Sequence, residues 1–338
     1  METLKLDLNS GDRELKIEKA AEILKNEGIV AIPTETVYGL AASAYSDAAV
    51  ANVFVAKGRP QDNPLIVHIS GIDMLSDVAC DIPPKAYLCA EKFWPGPFTM
   101  VLKKQANVCE SVSRGLDTVA VRMPSHETAR AVIESAGIPL AAPSANLSGC
   151  PSPTNAYHVI SDLDGKIDAV IIDDECQVGV ESTVITLVGD KPRLLRPGAV
   201  TVEQLREILP DIEIDAAVLA EPTSEKVASP GMKYKHYAPK TTVYLVEGDT
   251  KSFAEFVNAK QNSAAICFKE DTNINIPYVV YGSECDETSL AHNIFAVLRD
   301  IDKENYSEVY VHAPTKTGVG LAVYNRLIRA AAFKVITL

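Results

Sequence analysis

Short apolar strands alternate with amphipathic helices along almost the whole chain, which leaves room for little besides α/β sheets with helices packed against them. Residues 14–26 place Leu15, Ile17, Ala20, Ala21 and Leu24 on one helical stripe, and Gly28 stands where such a helix would end. A buried strand at 28–33 follows. Further strands fit 64–69, 99–102, 119–122, 140–142, 169–172 and 182–187, and helices fit 47–57, 84–93, 127–135 and 202–209. Short turns join several of these, which predicts a sheet of mixed direction.

The alternation breaks once, between Pro210 and Pro239, where Glu-Pro, Ser-Pro-Gly and Ala-Pro steps replace periodicity. It resumes with strands at 242–246, 264–268, 278–281 and 308–312 and helices at 252–261, 288–301 and 321–332. At 338 residues the chain exceeds the usual size of one core. The expected organisation is a first α/β domain over 1–210, a linker over 211–241, and a smaller Rossmann-like, doubly wound domain over 242–338.

Charge and cysteine usage exclude several classes. A net charge of −13 argues against broad nucleic-acid binding, which rests on phosphate neutralisation. The seven cysteines are scattered and never form C-x-x-C, so buried or idle thiols are expected rather than disulfides or a structural metal. No apolar run approaches the roughly 20 residues that span a bilayer, and residues 1–14 are polar and acidic, unlike a secretory leader. A cytoplasmic protein without membrane contact is expected, with a monomer as the default. There is no P-loop, kinase signature or G-x-S-x-G elbow, and Thr317-Gly-Val-Gly320 lacks the third glycine of a dinucleotide fingerprint.

The unusual residues cluster in loops of the first domain. Pro33-Thr-Glu-Thr-Val-Tyr-Gly-Leu40 sets two hydroxyls, a carboxylate and a phenol at the end of a buried strand, where open α/β sheets bind ligands. The plainer reading is that Glu35 caps a helix and Thr34 and Thr36 make turn bonds. Lys57-Gly-Arg-Pro-Gln-Asp-Asn-Pro64 carries two cations that are expected to project from a loop, a point charge and a planar fork suited to polyphosphate oxygens, with Asn63 as a neutral donor. His68 sits in the next strand, where a satisfied core histidine is the ordinary reading. Arg122, near the end of its strand, needs an anion, whether a protein carboxylate or a ligand's. Pro139 to Gly149 runs from an apolar strand into small polar residues, among them Ser144 and Asn146, and Ser152 extends this surface. Glu181-Ser-Thr-Val and Arg196-Pro-Gly-Ala add a hydroxyl and a further arginine. Phe93-Trp-Pro-Gly-Pro-Phe-Thr99 is expected to pack a rigid turn.

Taken together, Pro33 to Leu40, Lys57-x-Arg-Pro with Asn63-Pro-Leu, Ser144-x-Asn146, Ser182-Thr-Val and Arg196-Pro-Gly resemble the YrdC family of threonylcarbamoyl-adenylate synthases, over Leu15 to about Leu209. The segment Ser229-Pro-Gly-Met-Lys-Tyr-Lys-His-Tyr-Ala-Pro239 and the unit after it resemble the longer, two-domain branch. The resemblance implies a YrdC-like twisted mixed sheet with flanking helices. It also implies synthesis of L-threonylcarbamoyl-AMP from L-threonine, bicarbonate and ATP, with pyrophosphate released. The product would serve N6-threonylcarbamoyladenosine formation beside the tRNA anticodon by a downstream tRNA threonylcarbamoyl-transferase. In-line attack of a carbamate oxygen on the α-phosphate asks for positioning and cations rather than a covalent nucleophile.

By the same resemblance, Lys57 and Arg59 carry the catalytic charge, and with Asn63, Thr118, Ser144, Asn146, Ser152 and Arg196 they line the ATP side. Thr36, His68, Arg122, Ala142 and Ser182 would hold threonine, Arg122 taking its carboxylate. Magnesium is expected to arrive with ATP, bound by phosphates and water, with no metal ligands from the protein. In the linker, Lys233 to Tyr237 crowd cations and aromatics. They are expected to fold over the nucleotide as a lid, with Tyr234 and His236 on ATP. Two other readings stay open. One is carbamoyl transfer from carbamoyl phosphate; the other is an RNA-binding module using Lys57, Arg59, Arg122 and Arg196, which predicts salt-sensitive affinity without turnover.

Overall fold

The computed structural model describes residues 2–60, 63–220, 241–304 and 306–338. The first unit is built on strands β1 (Leu4–Asp7), β2 (Val30–Ile32), β3 (Gly39–Ser43), β4 (Ile66–His68), β5 (Ala79–Cys80), β6 (Phe98–Lys104), β7 (Thr118–Arg122), β8 (Leu140–Ala141), β9 (Ala169–Ile172), β10 (Thr183–Thr186), β11 (Arg193–Arg196) and β12 (Glu213–Ile214). They form one 12-stranded sheet in the order β1-β9-β2-β3-β8-β4-β7-β6-β10-β11-β12, with β5 paired to β6. Direction is mixed, as expected. β4 and β7 are parallel, whereas β6 runs antiparallel to β7 and β8 antiparallel to β4.

The helices start and stop where side-chain chemistry directs them. Asp12 accepts from the Leu15 N–H at the head of Arg13–Lys25, and Ser46 accepts from Ala49 N–H ahead of Asp47–Lys57. Thr201 and Gln204 form a reciprocal capping box at Val202–Ile208. Gly58 ends Asp47–Lys57 in the left-handed region, at φ 58°, a conformation that carries little penalty without a Cβ.

Strands β13 (Thr242–Glu247), β14 (Ser263–Phe268), β15 (Tyr278–Gly282), β16 (Glu308–His312) and β17 (Val335–Thr337) build the second unit, a wholly parallel sheet in the order β15-β14-β16-β13-β17. Its helices are Thr250–Asn258, Glu287–Ile301 and Gly320–Ala330. Parallel pairing with helical crossovers is the doubly wound arrangement expected from the alternation.

Four differences from the sequence reading have physical reasons. β1 escaped notice because only Leu4 and Leu6 alternate in it, yet it pairs in parallel with β9. β3 begins inside the segment 33–40 that reads as loop, and its last three residues carry no expected element. Its run of glycine, alanine and serine carries little strand propensity, but it is buried throughout and zipped to both β2 and β8. The helix Ala156–Leu163 was also missed, although Asn155 caps it. Residues 213–218, which read as the opening of the linker, lie on the first unit, with β12 paired to β11 and Val218 buried.

The two units share their cores. Val37 and Val180 of the first pack into the cluster formed by Leu290, Ala291, Ile294 and Leu327 of the second. At Gly179, φ 79°, an added Cβ would stand 2.4 Å from the His292 Cα and 2.5 Å from the Ala291 carbonyl oxygen, so only glycine admits the helix Glu287–Ile301 this close.

Candidate active site

One cleft gathers most of the sequence-predicted residues. Thr36, Arg59, His68, Arg122, Ala142, Ser144, Asn146, Ser182 and Arg196 line it, with Glu181 and Cys150 beside them, and it encloses about 680 Å³ including its open mouth. Sheet register explains the convergence. His68 at the end of β4 pairs with Arg122 at the end of β7, and Thr99 on β6 pairs with Arg122 from the other side. Three adjacent strands thus deliver a ring, a guanidinium and a hydroxyl to one edge.

Arg122 is nearly sequestered from solvent and finds its anion in the protein. Its guanidinium lies 2.8 Å from a Glu35 carboxylate oxygen, and it donates to Thr36 Oγ1 at 2.8 Å and to the Gly96 carbonyl at 3.3 Å. Glu35 therefore does not cap a helix. Burial pushes its carboxyl up, but the Arg122 charge and hydrogen bonding outweigh that, and the net shift is downward. Thr36 Oγ1 also lies 2.9 Å from Thr34 Oγ1, and Thr34 donates to the Val37 carbonyl at 2.6 Å.

His68 departs from the plain reading of a satisfied core histidine. It is buried, yet its Nδ1 has no hydrogen-bond partner among the described residues. Burial, reinforced by the Arg122 charge, pushes its pKa down to about 3, so the ring is neutral near pH 7. Both side-chain amide atoms of Asn63 are likewise buried without a partner among the described residues. His68 lines the cleft, and an unpaired buried polar atom there points to a ligand that would satisfy it, whereas Asn63 is not among the lining residues.

Lys57 is a correction. It does not project from a loop; it is the last residue of the helix Asp47–Lys57, and the chain turns away only after it, at the left-handed Gly58. Its ammonium is buried and donates to the Ser144 carbonyl, to the Asn146 carbonyl at 2.7 Å and towards Asn146 Oδ1 at 3.4 Å. Burial, with the Arg59 charge beside it, pulls its pKa well below that of a free lysine. Ser144 in turn donates to Asn146 Oδ1 at 2.5 Å, and Asn146 donates to the Leu147 and Cys150 carbonyls at 2.7 and 2.8 Å. Lys57 therefore shapes the Ser144–Cys150 loop from behind.

Arg196, at the end of β11, donates to the Ser182 carbonyl at 3.0 Å and to Ser182 Oγ at 3.1 Å, while Ser182 Oγ lies 2.7 Å from Thr99 Oγ1. Ser152 is buried behind the cleft wall and donates to Glu181 Oε1 at 2.5 Å. Thr118 opens β7 opposite Lys103, four residues or about 13 Å from Arg122, and does not line the cleft. Tyr234 and His236, with the expected lid, lie outside the described residues. Among the described residues no group of three His, Cys, Asp or Glu is placed to hold a metal.

The sequence reading missed Glu181 and two arginines of the second unit. Glu181 is buried and takes the Arg326 Nε at 2.9 Å, while Arg299 forms a two-pronged pair with Asp162 at 2.8 and 3.1 Å. For Arg326 the available signal was that it, Asn325 and Arg329 interrupt an apolar helix whose every residue is buried.

A model of the Sua5, YciO and YrdC family, described as telomere recombination, matches residues 22–198, and one described as the C-terminal domain of threonylcarbamoyl-AMP synthase matches 200–332. The chain is 42% identical to a threonylcarbamoyl-AMP synthase of Pyrococcus abyssi, over 99% of each protein. It is 40% identical to one of Bacillus subtilis, covering 98% of this chain and 96% of that protein. The crystal structure of P. abyssi Sua5 complexed with L-threonine superposes with a TM-score of 0.92 at 39% identity, over the full length of both chains.

Proposed function

The chain belongs to the Sua5, YciO and YrdC family and is an enzyme of the threonylcarbamoyl-AMP synthase kind, and we propose that it joins L-threonine, bicarbonate and ATP into L-threonylcarbamoyl-AMP and pyrophosphate. The observation that carries this reading is the convergence of Arg122, His68, Thr36, Ser182 and Arg196 on one cleft, with Ser144 and Asn146 across from them. In this reading Arg122, paired with Glu35, shares its guanidinium with the threonine carboxylate. His68 Nδ1, neutral and unpaired, meets a polar atom of the amino acid.

The threonine amine adds to bicarbonate with loss of water, giving a carbamate. A carbamate oxygen then attacks the α-phosphorus of ATP, and the bond to the leaving pyrophosphate breaks. Arg59 and Arg196 line the cleft where phosphate charge would lie, and the loop held by Lys57 offers its backbone and the Ser144 hydroxyl to the nucleotide. Fixing the partners in line supplies most of the rate in such a displacement. Magnesium is proposed to enter on ATP, held by phosphate oxygens and water.

The product would serve a tRNA threonylcarbamoyl-transferase in N6-threonylcarbamoyladenosine formation, in the cytoplasm. No described helix is long and apolar enough to cross a membrane. Burial of Lys57, Arg122 and Arg196 supports a small ligand over an RNA backbone, which needs surface cations. The test is pyrophosphate release from ATP with bicarbonate present, comparing L-threonine, L-serine and no amino acid. Strong threonine dependence is expected, with serine weaker by the roughly 1–3 kcal/mol of one methyl group. Release that ignores threonine would refute the proposal.

A further inference from the structure

We propose that Arg326, on the second unit, is a positioning residue for the nucleotide side of the cleft, acting through Glu181 and Ser152. The inference rests on the proposed synthase reaction and gives the second unit a part in it.

Arg326 is fully buried in the helix Gly320–Ala330, yet its fork reaches across to the first unit. Nε donates to Glu181 Oε2 at 2.9 Å, one terminal nitrogen to the Glu181 carbonyl at 3.1 Å, and the other to the Pro197 carbonyl at 2.6 Å. One guanidinium therefore ties the second residue before β10 to the first residue after β11. Those two segments touch closely, since a Cβ on Gly198 would stand 2.3 Å from the Thr183 nitrogen. The other Glu181 oxygen accepts from Ser152 at 2.5 Å, which extends the tie to the loop that follows Ser144 and Asn146.

A second clamp holds the same loop. Arg299 grips Asp162 with two prongs and donates to the Pro151 carbonyl at 2.5 Å, and Asp162 accepts the Leu147 N–H at 3.2 Å. The wall bearing Ser144, Asn146, Ser152 and Arg196 is thus braced from outside the first unit. A buried ion pair is weak evidence for stability, because apolar residues of similar volume can serve as well. What an apolar side chain cannot do is fix three oxygens on two segments at set distances, and that favours a geometric role.

The threonine side has its own anchors. His68 and Arg122 stand on paired strands, and Ser182 keeps Thr99 and the β10–β6 ladder. Loosening Arg326 therefore acts on ATP more than on threonine.

The experiment compares Arg326→Lys with wild type by titration calorimetry, using L-threonine and α,β-methylene ATP, which cannot release pyrophosphate, alongside turnover and the thermal midpoint. Lysine keeps a cation near Glu181 but cannot span the Glu181 and Pro197 carbonyls. The nucleotide Kd should rise about tenfold while the threonine Kd stays within about twofold. Adding Ser152→Ala should cause little further loss, because the two act in one chain. Should Arg326→Lys fail to fold, Glu181→Gln, which keeps the acceptor's shape, is expected to show the same selective loss. Equal weakening of both ligands, a lowered midpoint with both Kd values unchanged, or additive losses would each overturn the inference. Wild type without threonine-dependent pyrophosphate release would overturn the proposed function and this inference with it.

Discussion

The Arg122 guanidinium lies 2.8 Å from the Glu35 carboxylate, and both groups are nearly withdrawn from solvent. Removing one partner of a buried pair leaves an uncompensated charge and costs about 3–5 kcal/mol. Glu35→Gln should lower the thermal midpoint, and saturating L-threonine should recover a larger share of it than threonine adds to wild type, since a ligand carboxylate replaces the lost one. L-Threonine amide, lacking that carboxylate, should not. Equal shifts from L-threonine in both proteins would show that Arg122 does not take the carboxylate.

Lys57 is expected to matter through the loop it holds. Lys57→Met keeps the buried stem but leaves the Ser144 and Asn146 carbonyls without their donor. Displacing that loop by an ångström should lower threonine-dependent pyrophosphate release about 10²-fold. Lys57→Arg should not restore the rate, because a planar fork does not fit a slot shaped for one ammonium. Steady-state rates within about threefold of wild type for Lys57→Met would contradict this.

Glu181 sets an acid limit. Burial raises its carboxyl pKa, but the charges of Arg326 and Arg196 and the Ser152 hydrogen bond more than reverse that, leaving it below that of a free glutamate. A depressed carboxylate stabilises the fold above its unfolded pKa and loses that contribution as pH falls through the folded value. The stability gap between wild type and Glu181→Gln should therefore narrow as pH drops from 6 towards 3. Urea midpoints at several pH values read this directly; a constant gap would place the pH dependence elsewhere.

The second unit carries a titration of opposite sign. His312 is buried, with Nδ1 2.8 Å from an Asp271 oxygen, Nε2 3.0 Å from the Gly248 carbonyl, and its ring stacked on Phe253 at 4.3 Å. Burial lowers its pKa, but the hydrogen bonds to Asp271 and Gly248 and the Asp271 charge win, and it stands above that of a free histidine. Such a group contributes fully below its unfolded pKa and loses its contribution as pH rises through the folded one. His312→Asn should be most damaging near pH 6, and the deficit should shrink at alkaline pH. A deficit that grows with pH would contradict the assignment.

The sequence was readable where chemistry repeats with a period or stands out against its surroundings. The helices Asp47–Lys57 and Pro84–Phe93 and the strands β9 and β16 fall at their expected bounds, because their apolar spacing is clear and Ser46, Gly58 and Pro84 mark helix ends. β3 was hidden, since its small residues are strand by virtue of their neighbours alone. Of the site, Thr36, His68, Arg122, Ser144, Asn146, Ser182 and Arg196 do meet in one cleft, but which anion Arg122 finds was open until Glu35 was placed beside it. Glu181 and Arg326 are 145 residues apart, and no local pattern links positions that only docking of two units brings together.

That separation is also an interval of time. At roughly 5–20 residues per second, a ribosome needs about 7–30 seconds to travel from Glu181 to Arg326, long enough for the first sheet to collapse. Throughout that interval the Glu181 carboxylate has Arg196 near it but not Arg326, and Val37 and Val180 have no second-unit core to enter. The cleft wall thus receives its Arg326 and Arg299 braces only when the later-made half arrives.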